Sequence, residues 1–233
     1  TFSQLNRRLR AQEGEDLWVR GCNGQRYIAA GRSAGRVELF GTPGNALGAY
    51  LDGAELLVHG NGQDAVGDTM NRGRIAIGGS CGDGLGYGMR GGLILVKENV
   101  GYRAGIHMKA YEEQIPAIVI GGRAGNFLGE YQAGGLIAVL GLWEEDRGAP
   151  VGAFCGTGIH GGKILLRAHR PPEDLPAQAS AHAASPAELE EFLPYLDAFC
   201  AAFGVGRERV LDHPFQVLVP NTKNPYQQLY ISA

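Results

Sequence analysis

A repeat of nineteen residues constrains the fold of this chain more than any other feature of its sequence. Three copies follow one another without gaps from Arg36 to Gly92. A divergent copy of 20 residues starts at Asp16, and further copies start at Leu93, Ala117 and Leu136. Self-similarity at a fixed period predicts a solenoid, in which each copy forms one turn and stacks on the next.

Every copy opens on a short strand, because its second and fourth residues are apolar and a period of two is typical of β-structure. These pairs are Leu17 and Val19, Val37 and Leu39, Leu56 and Val58, Ile75 and Ile77, Ile94 and Val96, Ile118 and Ile120, Ile137 and Val139, and Ile164 and Leu166. The connections of about fourteen residues are too long for hairpins and too rich in glycine for stable helices, so the strands must stack in parallel. The sequence therefore predicts an all-β fold, a right-handed parallel β-helix of about seven to eight turns of ~19 residues.

Glycine accounts for 38 of the 233 residues, and one glycine recurs about two thirds of the way through each copy. We interpret these glycines as corner residues, at which a Cβ would strain the backbone or push the next turn away. They are Gly48, Gly67, Gly86, Gly105, Gly129 and Gly156. An Asn or Asp precedes the corner in four copies and suits a turn, because its side chain can bond turn amides. These residues are Asn45, Asp64, Asp83 and Asn126, and a further ladder of Leu51, Met70, Met89 and Met108 is predicted to fill the core.

The ends of the coil are predicted to be covered, because open sheet edges recruit other chains. We predict a capping helix in residues 1–15, the β-helix in residues 16–168, a linker in residues 169–184, and a C-terminal helix with an extended docking tail in residues 185–233. A capping box of Ser185 and Glu188 predicts where the second helix starts, and Gly204 predicts where it ends. Pro194 predicts a kink or a split within it.

The charge balance and the cysteines argue against several classes of function. Lys and Arg number 21 and Asp and Glu number 24, for a formal charge of -3 with no run of either sign, which is unfavourable for binding nucleic acid or an anionic membrane. No apolar stretch approaches the roughly 20 residues of a membrane span. Four cysteines lie far apart with no CxxC pair, which is typical of reduced thiols rather than of disulfides or a metal site. We expect a cytoplasmic protein.

The GxSxG pattern of α/β-hydrolases occurs twice, around Ser33 and around Ser80, with His160 as a candidate base. In those enzymes the serine lies on a turn from a strand into a helix, whereas no helix follows either serine here. Hydrolysis therefore stays a remote alternative. The run from Gly82 to Gly88 has the spacing of a dinucleotide-binding loop, but it too returns to a strand. We assign no catalytic, cofactor-binding or metal-binding residue.

Six residues interrupt the otherwise apolar or small corners, and these are our candidates for contacts with a partner. They are Gln25, Arg26, Tyr27, Arg103, His107 and Lys109. The alternative interpretation is that they close the coil and bond backbone carbonyls, because buried polar groups need partners in any protein.

The segments NGQRYIAAG, GTPGNALGAYLDGA, QDAVGDTMNRG, GYRAGIHMK and AGNFLGEYQAGG resemble the GXGXG β-helix family. That family includes the C-terminal domain of the glutamate synthase large subunit, and this chain resembles the form found as a separate polypeptide. The likeness covers nearly the whole chain. The formylmethanofuran dehydrogenase C subunit resembles the same repeats, but its inserts and tail fit less well. Glu98 and Asn99 depart from the family pattern, which has a glycine there.

The resemblance implies a scaffold subunit without catalytic residues of its own, in a complex that forms glutamate from glutamine and 2-oxoglutarate in nitrogen assimilation. It implies two partners, a glutamine amidotransferase subunit and an FMN-binding synthase subunit. FMN and an iron–sulfur cluster are expected in those partners, and no cofactor is expected in this chain. The alternative is a scaffold of a formylmethanofuran dehydrogenase-like complex or of another amidotransferase complex.

Overall fold

The computed structural model describes residues 1–143 and 148–221, and it confirms the predicted all-β parallel β-helix. Eight strands follow one another along a single sheet, and each pairs in parallel with the next. They are β1 (Leu17–Asn23), β2 (Arg36–Thr42), β3 (Asp52–Val58), β4 (Arg72–Ile77), β5 (Leu93–Val96), β6 (Ala117–Ile120), β7 (Ala133–Val139) and β8 (Gly161–Arg167). Val37 pairs with Leu56, Leu56 with Ile75 and Ile75 with Ile94, so equivalent residues of successive copies stack on one another.

The glycine-rich connections form a second ladder through seven corner segments of five residues each. These segments are residues 27–31, 46–50, 65–69, 84–88, 103–107, 127–131 and 154–158, and in every one the first, third and fifth residues have positive φ. The amide of Gly86 donates to the carbonyl of Val66 in the turn below, and the amides of Gly84 and Gly88 donate to carbonyls in the turn above. Alternate left-handed residues therefore turn the backbone so that each corner segment bonds both neighbouring turns.

The third residue of each corner segment points into the coil. Six of these residues are the glycines predicted for the corners, with φ between 62° and 73°. A Cβ built on Gly86 would lie 2.7 Å from Cδ1 of Ile118, which is a residue of β6. The strand residue occupies the space that the missing side chain leaves, because protein interiors are close-packed.

Acidic and amide side chains hold the entrance to several corners, as predicted. The Oδ1 atom of Asp64 accepts from the amide of Asp83 at 3.0 Å, and that of Asp83 accepts from the amide of Tyr102 at 2.8 Å. Asn126 does the same for the amide of Ala153 at 3.0 Å. Each of these side chains therefore bonds the next turn, which aligns successive corners.

The core of the coil is one continuous apolar column, and it includes the predicted ladder of Leu51, Met70, Met89 and Met108, all fully buried. The same column contains two polar residues, Arg32 in the first corner turn and Gln132 in the sixth. The Nε2 atom of Gln132 donates to the carbonyls of Gly134 and Gly135, both at 3.2 Å. These bonds place an amide in an apolar column without leaving its donor unpaired.

Helix α1 (Phe2–Ala11) covers the first turn, and the side chain of Leu9 is buried in the core of the coil. The guanidinium of Arg32, which is only 2% exposed, lies beneath the end of this helix. It donates to the carbonyls of Leu9, Gln12 and Glu15 at 2.8 to 2.9 Å. These carbonyls at and beyond the last turn of the helix otherwise have few donors, so Arg32 fixes the cap to the coil.

Helix α2 (Pro186–Phe203) starts at the predicted capping box and ends at Gly204, whose φ is 67°. It continues through Pro194 rather than splitting. Pro194 removes one amide from the helix, but it lies on the exposed side, where water can reach the carbonyl of Glu190 that loses its donor. The helix therefore accommodates Pro194 without splitting.

The outer face of the sheet carries a second apolar core, which sequence analysis did not predict. Helix α2 packs here through Phe192, Leu196 and Phe199, all fully buried. The strand residues beneath it belong to one register of the repeat, namely Leu57, Ala76, Leu95, Val119, Ala138 and Leu165. The third residue of each copy is therefore apolar from β3 onward because a helix covers it.

Two further strands close the other end of the coil. Strand β9 (Ala179–Ala183) lies in the segment predicted to be a linker, and a short helix α3 (Arg207–Leu211) leads to β10 (Phe215–Pro220). Strand β10 pairs antiparallel with β8 on one side and with β9 on the other. The first part of the predicted docking tail thus adds to the sheet of this same chain, and residues 222–233 lie outside the described residues.

The helices within residues 1–143 and 148–221 lack the combination of length and apolar character that a bilayer-spanning helix requires.

The corner glycines differ in the room beside them, which gives a matched test of the packing. We expect Gly86→Ala and Gly156→Ala each to lose about 1–2 kcal/mol of unfolding free energy, because both positions are left-handed. Gly86→Ala should lose about 1–3 kcal/mol more, because Ile118 must move, whereas the nearest atom to a Cβ on Gly156 is 3.7 Å away. Urea unfolding of the two variants measures the difference, and equal losses would contradict the packing described here.

The capping box of α2 predicts a dependence of stability on pH. Hydrogen bonds from the side chain and the amide of Ser185, with a smaller contribution from His182, lower the pKa of Glu188 from 4.5 to about 2. A carboxyl whose pKa is lowered by folding stabilises the fold above its unfolded pKa and ceases to do so as the pH falls toward its folded pKa. We therefore expect the difference in Tm between wild type and Glu188→Gln to be largest above pH 4.5 and to shrink as the pH falls toward 2. A constant difference across that range would show that the charge of Glu188 contributes nothing.

Candidate functional site

The two serines of the GxSxG patterns hold the coil together. The hydroxyl of Ser33 donates to Oε1 of Glu13 at 3.1 Å, and its amide donates to the same oxygen at 2.7 Å. The hydroxyl of Ser80 donates to Oε2 of Glu98 at 3.0 Å. Each serine thus hydrogen-bonds a carboxylate, whereas a serine nucleophile needs a base such as histidine within reach. The departure from the family pattern at Glu98 supplies the acceptor for Ser80.

The cysteines are free thiols, and three of them, Cys22, Cys81 and Cys155, are buried. Burial raises the pKa of Cys81 and of Cys155 to about 12. Because the thiolate is the nucleophilic form, these two side chains are inert at neutral pH and act as small apolar residues of the core.

The glycine-rich run from Gly82 to Gly88 contains the fourth corner segment. Its amides are used within the coil, because those of Gly84, Gly86 and Gly88 each donate to a carbonyl of a neighbouring turn at 2.8 Å. A phosphate-binding loop presents such amides to the ligand instead. No group of three or more His, Cys, Asp or Glu side chains that could hold a metal ion occurs within the described ranges 1–143 and 148–221.

Three of the six candidate contact residues lie at the first turn. The side-chain oxygen of Gln25 accepts from the amide of Asn23 at 2.7 Å, and the carbonyl of Arg26 accepts from Nδ2 of Asn6 in helix α1 at 2.9 Å. Tyr27 has a φ of 57° and an exposed ring. Gln25 and Arg26 thus make contacts that close the coil, while the ring of Tyr27 and the side chain of Arg26 face outward.

The other three candidates lie in and beside the fifth corner segment. Arg103 and Glu130 form an ion pair, and the carboxylate raises the pKa of the Arg103 guanidinium through that hydrogen bond. His107 is exposed and stacks on the ring of Tyr131, with ring centroids 5.2 Å apart. Lys109 is exposed beside it. Tyr27 and Arg103 are equivalent positions four turns apart, or about 19 Å along the coil, so the structure does not bring the two groups of candidates together.

The structure adds aromatic residues that sequence analysis missed. Around Arg103 and His107 lie Tyr87, Tyr102, Phe127, Tyr131 and Phe154, and we call these seven residues the aromatic patch. Their signal was present in the repeat, because Phe127, Tyr131 and Phe154 align with Arg103 or His107 once the inserts are allowed for. Those inserts, in the fourth and sixth copies, hid the alignment.

Close ring contacts join the members of the aromatic patch. The rings of Phe127 and Phe154 stack at 4.7 Å, and Tyr102 packs edge-on against Phe127 at 5.4 Å. The guanidinium carbon of Arg103 lies 4.5 Å from the ring centre of Tyr102 and 5.2 Å from that of Phe127. Stacked rings with an arginine over their faces form a rigid surface, because each ring limits the rotation of the next.

The fold and this surface define a class of protein, a parallel β-helix whose glycine-rich corners carry an outward-facing aromatic surface. The chain belongs to the GXGXG motif family, whose model matches residues 19–213. It is also similar to a protein described as the uncharacterized protein MJ1350 of Methanocaldococcus jannaschii, with 42% identity over 214 residues. That alignment covers 89% of this chain and 82% of the relative.

The different burial of the four thiols predicts the order in which a thiol reagent modifies them. Cys200 is only half-buried, so we expect a thiol reagent at neutral pH to modify Cys200 first and to reach Cys81 and Cys155 only after unfolding. Mass spectrometry of the labelled native chain measures this order, and Cys200→Ala is the control that should remove the early phase. Rapid labelling of Cys81 or Cys155 in the native chain would contradict their assignment to the core.

Proposed function

We propose that this chain is a non-catalytic structural subunit of a glutamate synthase-like complex. In such a complex an amidotransferase subunit releases ammonia from glutamine, and an FMN-binding synthase subunit adds it to 2-oxoglutarate and reduces the product to glutamate. FMN and an iron–sulfur cluster belong to the partners in this proposal. The chain positions the two partner subunits, in the cytoplasm.

Membership of the GXGXG motif family, over residues 19–213, is the observation that carries this proposal. It agrees with the resemblance of the repeats to the C-terminal domain of the glutamate synthase large subunit. A fold is not by itself a function, so the contacts of individual residues matter as well.

The contacts within the coil support a structural role. Ser80, Asp64 and Asp83 each hydrogen-bond a neighbouring turn, Ser33 hydrogen-bonds Glu13 in the segment that follows α1, and the corner amides bond the turns above and below. The polar groups that would be candidates for chemistry thus hold the coil, while the exposed rings and cations lie on its outside. A rigid coil with an aromatic outer surface is suited to positioning other proteins.

Isolation of the complex from source cells tests the proposal. A tagged copy of the chain, expressed from its own locus, should copurify with an amidotransferase and an FMN protein in fixed ratio, and the complex should form glutamate from glutamine and 2-oxoglutarate. The chain purified alone should not turn over these substrates. Copurification with molybdopterin or formyl-transfer proteins would instead favour the formylmethanofuran dehydrogenase-like alternative and overturn the proposal.

A further inference from the structure

Several corner positions carry side chains where glycine would be conformationally easier. A left-handed backbone costs conformational free energy for any residue with a Cβ, so each of these residues destabilises its corner relative to glycine. The fourth corner segment has Gly84, Gly86 and Gly88 at all three such positions and forms the same ladder. Side chains at the equivalent positions elsewhere are therefore not needed to form the corner.

Five of the eleven such residues in the seven corner segments lie in the last three segments, and all five belong to the aromatic patch. They are Arg103, His107, Phe127, Tyr131 and Phe154, with φ between 53° and 62°. Ring stacking offsets part of their conformational cost. It does not explain why two rings of the patch face solvent: Phe154 is 50% exposed, and Tyr87, which has an ordinary backbone conformation, is 45% exposed.

The patch has the composition of the centre of a protein interface, where aromatic residues and arginine are enriched and unpaired charges are rare. Its one cation, Arg103, is held over the rings by the carboxylate of Glu130, which is itself 6% exposed. The guanidinium is thus fixed before any partner arrives, which lowers the entropy lost on binding.

The rim of the patch indicates the chemistry of its partner. Arg90 and Lys109 are exposed on successive turns, in the column next to that of His107. Neither forms an ion pair with a carboxylate of residues 1–143 or 148–221. Two neighbouring cations that form no ion pair within the described residues favour a partner surface that carries carboxylates.

We propose that the aromatic patch is the docking face for one protein subunit. The matching surface of that subunit is apolar at its centre and carries carboxylates that face Arg90 and Lys109. This inference rests on the scaffold role proposed above, and it names the part of the coil that performs it.

Glycine substitutions at left-handed positions separate binding from folding. His107→Gly and Phe154→Gly remove patch side chains and relieve the backbone at the same time, so Tm should stay constant or rise. We expect the double variant to lower the fraction of chains that carry the docked subunit by at least about tenfold. The complex is purified from source cells in which the variant replaces the wild-type chain, and native mass spectrometry counts the partner subunits per chain.

Tyr50→Gly is the matched control, because Tyr50 has a φ of 58°, is 59% exposed and lies in the second corner segment, outside the patch. It should leave the complex intact. A second pair of substitutions, Arg90→Glu and Lys109→Glu, should slow assembly, and added salt should then speed assembly rather than slow it, because the reversed charges repel the carboxylates of the partner.

The outcomes distinguish this inference from the proposed function. If the amidotransferase and the FMN protein bind the double variant as they bind the wild type, the assignment of the patch as a docking face is overturned and the scaffold role stands. If the double variant loses a stoichiometric partner of another kind, the patch stands and the glutamate synthase-like role is overturned. Loss of the partner from Tyr50→Gly as well, or a second copy of this chain as the bound subunit, overturns the patch as a docking face for a different protein. A wild-type chain that is isolated alone overturns both.

Discussion

The structure depends on a backbone that alternates between left-handed and ordinary conformations at each corner. That alternation turns successive amides toward opposite neighbours, so a connection rich in glycine becomes a hydrogen-bonded layer rather than a loop. Because the layer bonds both the turn above and the turn below, an error in one corner would displace the strands on either side. The spacing of the glycines thus contributes to the register of the sheet together with the apolar strand residues.

Arg32 is a polar residue within the apolar column of the coil, and it joins the N-terminal helix to the first turn. Arg32 replaces an apolar residue in the first turn and supplies donors to the carbonyls at the end of α1. A buried guanidinium is costly unless it is hydrogen-bonded, and here its two terminal nitrogens donate to three backbone carbonyls, while its Nε is buried without a hydrogen-bond partner in the described part of the chain. The first turn therefore differs in sequence from the others because it must join a helix to a stack of strands.

The repeat predicted the coil because its period is visible in the sequence wherever copies have equal length. Val37, Leu56 and Ile75 show the register directly, and the inward glycines follow from the same alignment. The docking of α2 was not predicted, although Leu95, Val119 and Leu165 are apolar at a position that faces outward. A period of two separates the two faces of a strand but does not say which other segment covers the second face.

The candidate surface was predicted only in part, for a related reason. Arg103, His107 and Lys109 stood out as polar residues in an apolar setting, whereas Phe127 and Phe154 resembled ordinary core residues. Only their left-handed backbone places those rings outside the coil, and side-chain chemistry alone does not indicate it. Of the first group of candidates, Gln25 and Arg26 make contacts within the N-terminal end, while the ring of Tyr27 is exposed.

Strand β10 belongs to both hydrophobic cores, because Leu218 packs into the coil while Val217 packs beneath α2. Side chains of neighbouring residues in a strand point to opposite faces, so one short segment joins two otherwise separate interiors. Loss of β10 from the sheet would therefore open both cores at once. Opening of one layer is thereby coupled to opening of the other, which favours a single cooperative transition over progressive fraying from this end.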